Sequence, residues 1–176
     1  MGMQGSSDGL RVLAITPARN EADHLKEVAS SMAAQNQRPI RWIIVVNGST
    51  DGTEAVANQI AESHPGWVTV LSLDITGQRS FRAKSQAVMT GVDSVDSASY
   101  DLIACIDGDV VLPPEYFARV AAAFRDNPAL GVCGGVYRHT VGGNSRIGRH
   151  GAGHVPGPAQ VLRAETFESI GGYWPL

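Results

Sequence analysis

Asp107 and Asp109 stand one residue apart, directly after the apolar run LIACI at 102–106. Two carboxylates held that close repel each other, and a carboxylate at the floor of a buried strand is poorly solvated. A hard divalent cation removes both costs. Mg²⁺ or Mn²⁺ takes one or two protein carboxylates and completes its shell with water and phosphate oxygens. An isolated Asp-x-Asp is ordinarily a solvated turn, so its meaning depends on what stands beside it.

Three further polar groups follow apolar runs in the same way: Pro17-Ala18-Arg19-Asn20-Glu21, Asn47-Gly48-Ser49-Thr50-Asp51, and the group Gly77, Arg79, Arg82 and Lys84. Asn47 can both donate and accept, as reading the edge of a base requires. Arg79, Arg82 and Lys84 either balance a diphosphate or form a solvated helix face. Asn20 reads as a helix cap. Each group alone is turn chemistry, but four in register along one edge point to a phosphorylated, nucleotide-like ligand.

The elements that would bring them into register alternate. Residues 10–16 (LRVLAIT), 40–46 (IRWIIVV), 67–73 and 101–106 read as strands rich in branched residues. The second is almost wholly apolar, as a strand covered on both faces should be. Helices are expected from Glu21 through Met32, after Gly52 through Ala61, from Ser80 to Val92, and from Pro113-Pro114 to about Arg125. This β-α-β-α-β-α-β-α order implies an α/β fold with a mostly parallel central sheet and helices on both faces. In such sheets ligands bind at the carboxyl ends of the strands, where the four polar groups fall. Residues 131–157 differ: nine glycines in 27 residues, with His139, His150 and His154, read as loops around one strand at 130–137. A strand at 159–162 and a short helix at 164–170 follow.

The composition excludes several classes. Fourteen Lys and Arg against 17 Asp and Glu, a formal net charge of −3, argue against a nucleic-acid partner. No apolar run approaches the roughly 20 residues of a spanning helix. Cys105 and Cys133 both lie in apolar runs, so buried, reduced thiols and the cytoplasm, or the inner face of its membrane, are expected. His150 and His154 have the i, i+4 spacing of zinc ligands, but Gly151 and Gly153 between them make a helix untenable. TPARNE stands where a dinucleotide-binding enzyme would carry G-x-G-x-x-G, and no P-loop occurs.

These motifs resemble family-two glycosyltransferases, inverting enzymes of the Rossmann-like GT-A fold. VLAITPARNEADHL is similar to the family's opening strand and loop, VVNGSTDGTEAVA to its second-strand motif, and RAKSQAVMTG to the helix before the metal motif. CIDGDVVLPPEYF is similar to that metal motif, and VLRAETFESIGGYWP to the acceptor-side stretch. The resemblance implies transfer of a sugar from a nucleoside diphosphate sugar to an acceptor hydroxyl (of a glycan, lipid or small molecule), with inversion and with Mn²⁺ or Mg²⁺. It implies that Pro17, Arg19 and Glu21 line the nucleoside pocket, that Asn47 and Asp51 belong to the nucleotide-sugar site, and that Asp107 and Gly108 lie near the ribose. It further implies that Arg82 faces the same pocket, that Asp109, with Asp107, holds the metal, and that Gly171, Gly172 and Tyr173 form the acceptor side.

Two departures qualify the match. Val46-Asn47 replaces the usual acidic pair, which leaves uridine and guanosine donors both open. The family's catalytic base lies beyond Gly-Gly-aromatic, so it is expected beyond Leu176. The expected organisation is therefore a disordered lead-in at 1–9, a nucleotide-sugar-binding subdomain at 10–130, and a partial acceptor-side subdomain with a Gly-rich loop at 131–176. An incomplete domain would expose Tyr173 and Trp174 and invite homo-oligomer formation. The competing description is a non-catalytic nucleotide-sugar-binding module.

Overall fold

A computed structural model describes residues 9–74, 80–141, 144–148 and 154–173 of the chain. Four strands, β1 (Val12–Ala18), β2 (Arg41–Asn47), β3 (Val68–Leu73) and β4 (Leu102–Ile106), pair in parallel, with β1 at the centre between β2 and β4. Beyond β4 the sheet continues through β8 (Ala159–Arg163) and β5 (Val132–Gly134), both pairings antiparallel, for the order β3-β2-β1-β4-β8-β5. The sheet thus crosses residue 130 without a break.

The apolar runs predicted the parallel strands because both faces of the central ones are buried. Val12 and Ala14 of β1 enter one core with Trp42 and Ile44 of β2, while Leu13 and Ile15 enter the other with Ile43 and Val45. The first core receives Leu25, Val28 and Met32 of α1 (Leu25–Ala33), Ala57 and Ile60 of α2 (Thr53–Ser63), and Phe117, Val120 and Phe124 of α4 (Tyr116–Asp126). The second receives Ala87, Val88 and Val92 of α3 (Phe81–Asp93) and Phe167 of α5 (Ala164–Ser169). Helices lie on both faces. Among the described residues, no helix is long and apolar enough to cross a membrane.

Two expectations need correction. The first helix begins at Leu25, not Glu21, and Asn20 does not cap it. Asn20 adopts the left-handed region at φ 56°, and its Oδ1 accepts from the Thr50 N–H at 2.8 Å. The Glu21 carbonyl instead accepts from the His24 and Leu25 N–H groups, so a turn leads into the helix. The strand expected at 130–137 is also shorter. A Cβ on Gly134 would lie 2.7 Å from the Ala159 carbonyl oxygen, so β5 runs close against β8 only because that position lacks a side chain. The chain then leaves the sheet, and β6 (Arg138–Val141) pairs with β7 (Asn144–Ile147) as a separate antiparallel ribbon.

Candidate donor and metal site

The carboxyl ends of β1, β2 and β4 meet the start of α3 around a cavity of about 380 Å³. β1 contributes Pro17, Ala18 and Arg19, and β2 contributes Asn47; Asp107 and Gly108 follow β4. The α3 side is made by Ser80, Phe81, Ala83, Lys84 and Ala87. Asn47 is 4% exposed. Its amide nitrogen donates to the Ala83 carbonyl at 3.3 Å, which turns Oδ1 the other way, and that oxygen is buried without a partner among the described residues. A buried acceptor without a donor costs free energy that a ligand N–H would recover.

A second cavity, about 890 Å³, lies on the other side of the Asp-x-Asp. His24 and Glu27 of α1 border it together with Asp107, Asp109 and the segment 110–113; Val136, Tyr137 and Arg138 come from the stretch after β5. Asp107 borders both cavities. Its Oδ1 pairs with the Lys84 Nζ at 2.5 Å, and its backbone N–H donates to the Pro158 carbonyl, which ties the Asp-x-Asp to the turn before β8.

The loops beneath are stitched to one another. Asp51 Oδ1 accepts from both the N–H and the hydroxyl of Thr53, and Oδ2 accepts from the Ala22 N–H at 3.2 Å. The Thr53 hydroxyl in turn accepts from the Glu21 N–H at 2.8 Å. These bonds, the Thr53 hydroxyl first, hold the Asp51 carboxyl below its ordinary range. Glu21 is buried, receives His24 Nδ1 at 3.2 Å, and packs under Gly108, where a Cβ would meet its Cγ at 3.0 Å.

The predicted site residues therefore separate into groups. Pro17, Arg19, Asn47, Asp107 and Gly108 come together around the first cavity, and Asp109 joins Asp107 at the second. Glu21 and Asp51 stand behind these surfaces as braces. Arg82, expected to face the pocket, is exposed and outside its lining; Lys84 is the cation on Asp107. Arg79, Gly77, His150 and Trp174 lie outside the described residues. Gly171 and Gly172 take positive φ after α5, and a Cβ on Gly172 would sit 2.6 Å from Met89 Sδ. They border a third cavity with Met89 and Phe167, away from the Asp-x-Asp. Tyr173 donates to Gln160 Oε1 at 2.6 Å, and burial drives its phenol pKa upward. Cys105 is buried and Cys133 half-buried, both unpaired as thiols, and burial raises the Cys105 thiol to about 12.

The donor set suits a hard divalent cation. Asp107 and Asp109 supply two carboxylates, and among the described residues no group of three or more His, Cys, Asp or Glu could hold a metal by itself. Such a pair leaves the remaining positions to water and phosphate oxygens, which is how Mg²⁺ and Mn²⁺ are held. Phe81 and His24 were the members that the sequence reading missed, although the helix start at Ser80 was a usable signal for Phe81.

The sequence model described as "Glycosyl transferase family 2" matches residues 13–174. The succinoglycan biosynthesis protein ExoA of Rhizobium meliloti (strain 1021) is 29% identical over 183 residues, covering 92% of this chain and 52% of its own length. A poly-beta-1,6-N-acetyl-D-glucosamine synthase of Staphylococcus aureus (strain MSSA476) is 27% identical over 128 residues, 73% of this chain and 27% of its own length. The chain thus spans about half, or less, of the length of these relatives. Among solved structures, mannosyltransferase PcManGT from Pyrobaculum calidifontis, in complex with GDP-Man and Mn²⁺, superposes with a TM-score of 0.70 at 19% identity, covering 94% of this chain and 48% of that one. S. aureus TarS 1–349 in complex with UDP-GlcNAc does so with 0.66 at 17% identity, covering 94% and 49%.

Proposed function

The chain belongs to glycosyl transferase family 2 and has its Rossmann-like GT-A fold, and on that premise we propose that it binds a nucleoside diphosphate sugar through a divalent metal, for inverting transfer of the sugar to an acceptor hydroxyl. The observation that carries this reading is the position of Asp107 on the border of both cavities, with the apolar-walled cavity and its unpartnered Asn47 acceptor on one side and Asp109 on the other. Residues 10–130 would supply the nucleotide side, and the segment after residue 131 the far wall of the second cavity.

In this reading the nucleoside lies between the ends of β1 and α3. Asn47 Oδ1 accepts from the base, and Asp107 reaches toward the ribose. Asp109, with Asp107, would hold Mn²⁺ or Mg²⁺, which would supply positive charge to the diphosphate. Lys84, freed from Asp107, adds a second positive charge there. The sugar then projects into the 890 Å³ cavity, where the acceptor hydroxyl must approach. Inverting transfer needs a carboxylate to take the hydroxyl's proton. Glu165 and Glu168 are exposed on the short α5, and Glu165 leans on Arg163 at 3.6 Å, so neither is assigned that role. Among the described residues we assign no carboxylate to that role. Reduced thiols accord with a cytoplasmic location, at or near the inner face of a membrane.

Calorimetric titration with UDP-, GDP- and dTDP-sugars, with and without Mn²⁺, tests the proposal. Binding of at least one donor should require the metal, and Asp109→Ala should abolish the metal dependence together with most of the affinity. Metal-dependent binding that survives the substitution would overturn the assignment.

A further inference from the structure

Four phenylalanines occur in the chain. Phe117, Phe124 and Phe167 are 0%, 1% and 3% exposed and belong to the two cores, whereas Phe81 is 54% exposed and packs with neither. Leaving an aromatic ring in water forgoes the burial that drives folding, and nothing in the packing of α3 requires it. Phe81 is nonetheless held in place. It is the first residue of α3, fixed by the preceding Ser80, whose hydroxyl accepts from the Ala83 N–H at 3.2 Å. Phe81 borders the 380 Å³ cavity that Asn47, with its unpartnered Oδ1, also lines.

A flat ring at the mouth of a cavity and an in-plane acceptor within it are two complementary demands. One is for a planar π-face, the other for a ring or exocyclic N–H. A nucleobase meets both, since every base has a stacking face and an N–H-bearing edge. We infer that Phe81 is an affinity-determining residue of this site, the platform on which the donor's base stacks while Asn47 takes its N–H. The inference rests on the donor-site reading above and adds to it a contact from α3. No phosphate or sugar contact is asked of Phe81, which predicts a clean separation: the residue should matter to the nucleoside and not to the diphosphate.

The test uses the whole chain, with Mn²⁺ present, and two probes, UDP and inorganic pyrophosphate. Phe81→Ala should weaken UDP by about tenfold, within the range that loss of one base–aromatic stack brings, and leave pyrophosphate unchanged. Phe81→Leu should recover only part of the loss, because it restores apolar area without the π-face. Phe81→Trp should bind UDP at least as well as the wild type, with an added fluorescence that UDP quenches and pyrophosphate does not. Because Phe81 is outside both cores, thermal unfolding of the variants should match the wild type. UDP affinity unchanged in Phe81→Ala, or an equal loss for UDP and pyrophosphate, would overturn the inference while leaving the donor site intact. If the wild type binds neither probe, the donor-site reading fails, and this inference with it.

Discussion

In the proposed site, Lys84 and a divalent cation would be rivals for one carboxylate. The ammonium lies 2.5 Å from Asp107 Oδ1, both side chains being largely shielded from water, so it supplies part of the charge that a metal would bring. Metal binding must displace it, and a diphosphate arriving with the metal offers it a new partner. Lys84→Met is therefore expected to bind Mn²⁺ alone several-fold more tightly, yet to bind Mn²⁺ with UDP more weakly, as read by paramagnetic resonance titration of free Mn²⁺. Weakening of both would mean that Lys84 serves only to shape the loop. The Asp-x-Asp was legible in the sequence because its spacing and the apolar run before it leave few other uses for two acids. The choice of Lys84 over Arg82 was not. Two residues along a helix differ by about 200° of rotation. Which of them faces the cavity is decided by packing far from either, where a Cβ on Gly91 would lie 2.8 Å from Ile15 Cγ2.

At the scale of elements, the site depends on the loops after β1 and β2 behaving as one piece. Asp51 joins them, through Thr53 at the start of α2 and Ala22 before α1, and Asn20 adds a bond to Thr50. Since the folded carboxyl titrates below its ordinary value of 3.8, its contribution to stability is complete above that pH. It is lost as pH falls through the lowered folded value. Asp51→Asn should therefore be less stable than the wild type in urea at pH 7, and the gap should narrow as pH falls below 3.8. A gap that grows on acidification would contradict the depressed titration. Gly91→Ala is a test of the opposite face: pressing a methyl group into Ile15 and Val45 should cost about 1–3 kcal/mol in the same assay. Strands covered on both faces were readable as unbroken apolar runs, whereas β6 and β7 were not, because RHTV and NSRI have neither continuous nor alternating apolar character and lie among glycines. Asn20 misled for a related reason. Its side chain is equally able to cap a helix or to hold a neighbouring loop, and only the positive φ forced by the close approach of the two loops decides it.

For the molecule as a whole, the sheet order places the site. From β1 the chain proceeds outward to β2 and β3 on one side and returns to β4 on the other, so the β1/β4 boundary is the point where strand order reverses and the loops part. Pro17, Arg19 and Asp107 lie at that boundary because of topology; the alternating elements placed them at the carboxyl ends of strands, and the strand order adds that β1 and β4 are neighbours. What did not follow is that Gly172 turns toward Met89 and Phe167, because close packing and ligand approach make the same demand on a glycine. A ligand seated at the reversal touches loops that issue from both halves of the parallel sheet, and it should therefore oppose unfolding of the entire sheet and not of one loop. At a hundred times its dissociation constant, a ligand bound only by the folded chain adds about 2.7 kcal/mol. For a chain of this length that corresponds to a rise in Tm of roughly 5–10 °C. UDP with Mn²⁺ should produce such a shift in scanning calorimetry, Mn²⁺ alone a small one, and Asp109→Ala should remove most of it. A full shift in Asp109→Ala would move the ligand away from the Asp-x-Asp. No shift in the wild type at concentrations that saturate binding would mean that the ligand engages a part of the chain that unfolds independently of the sheet.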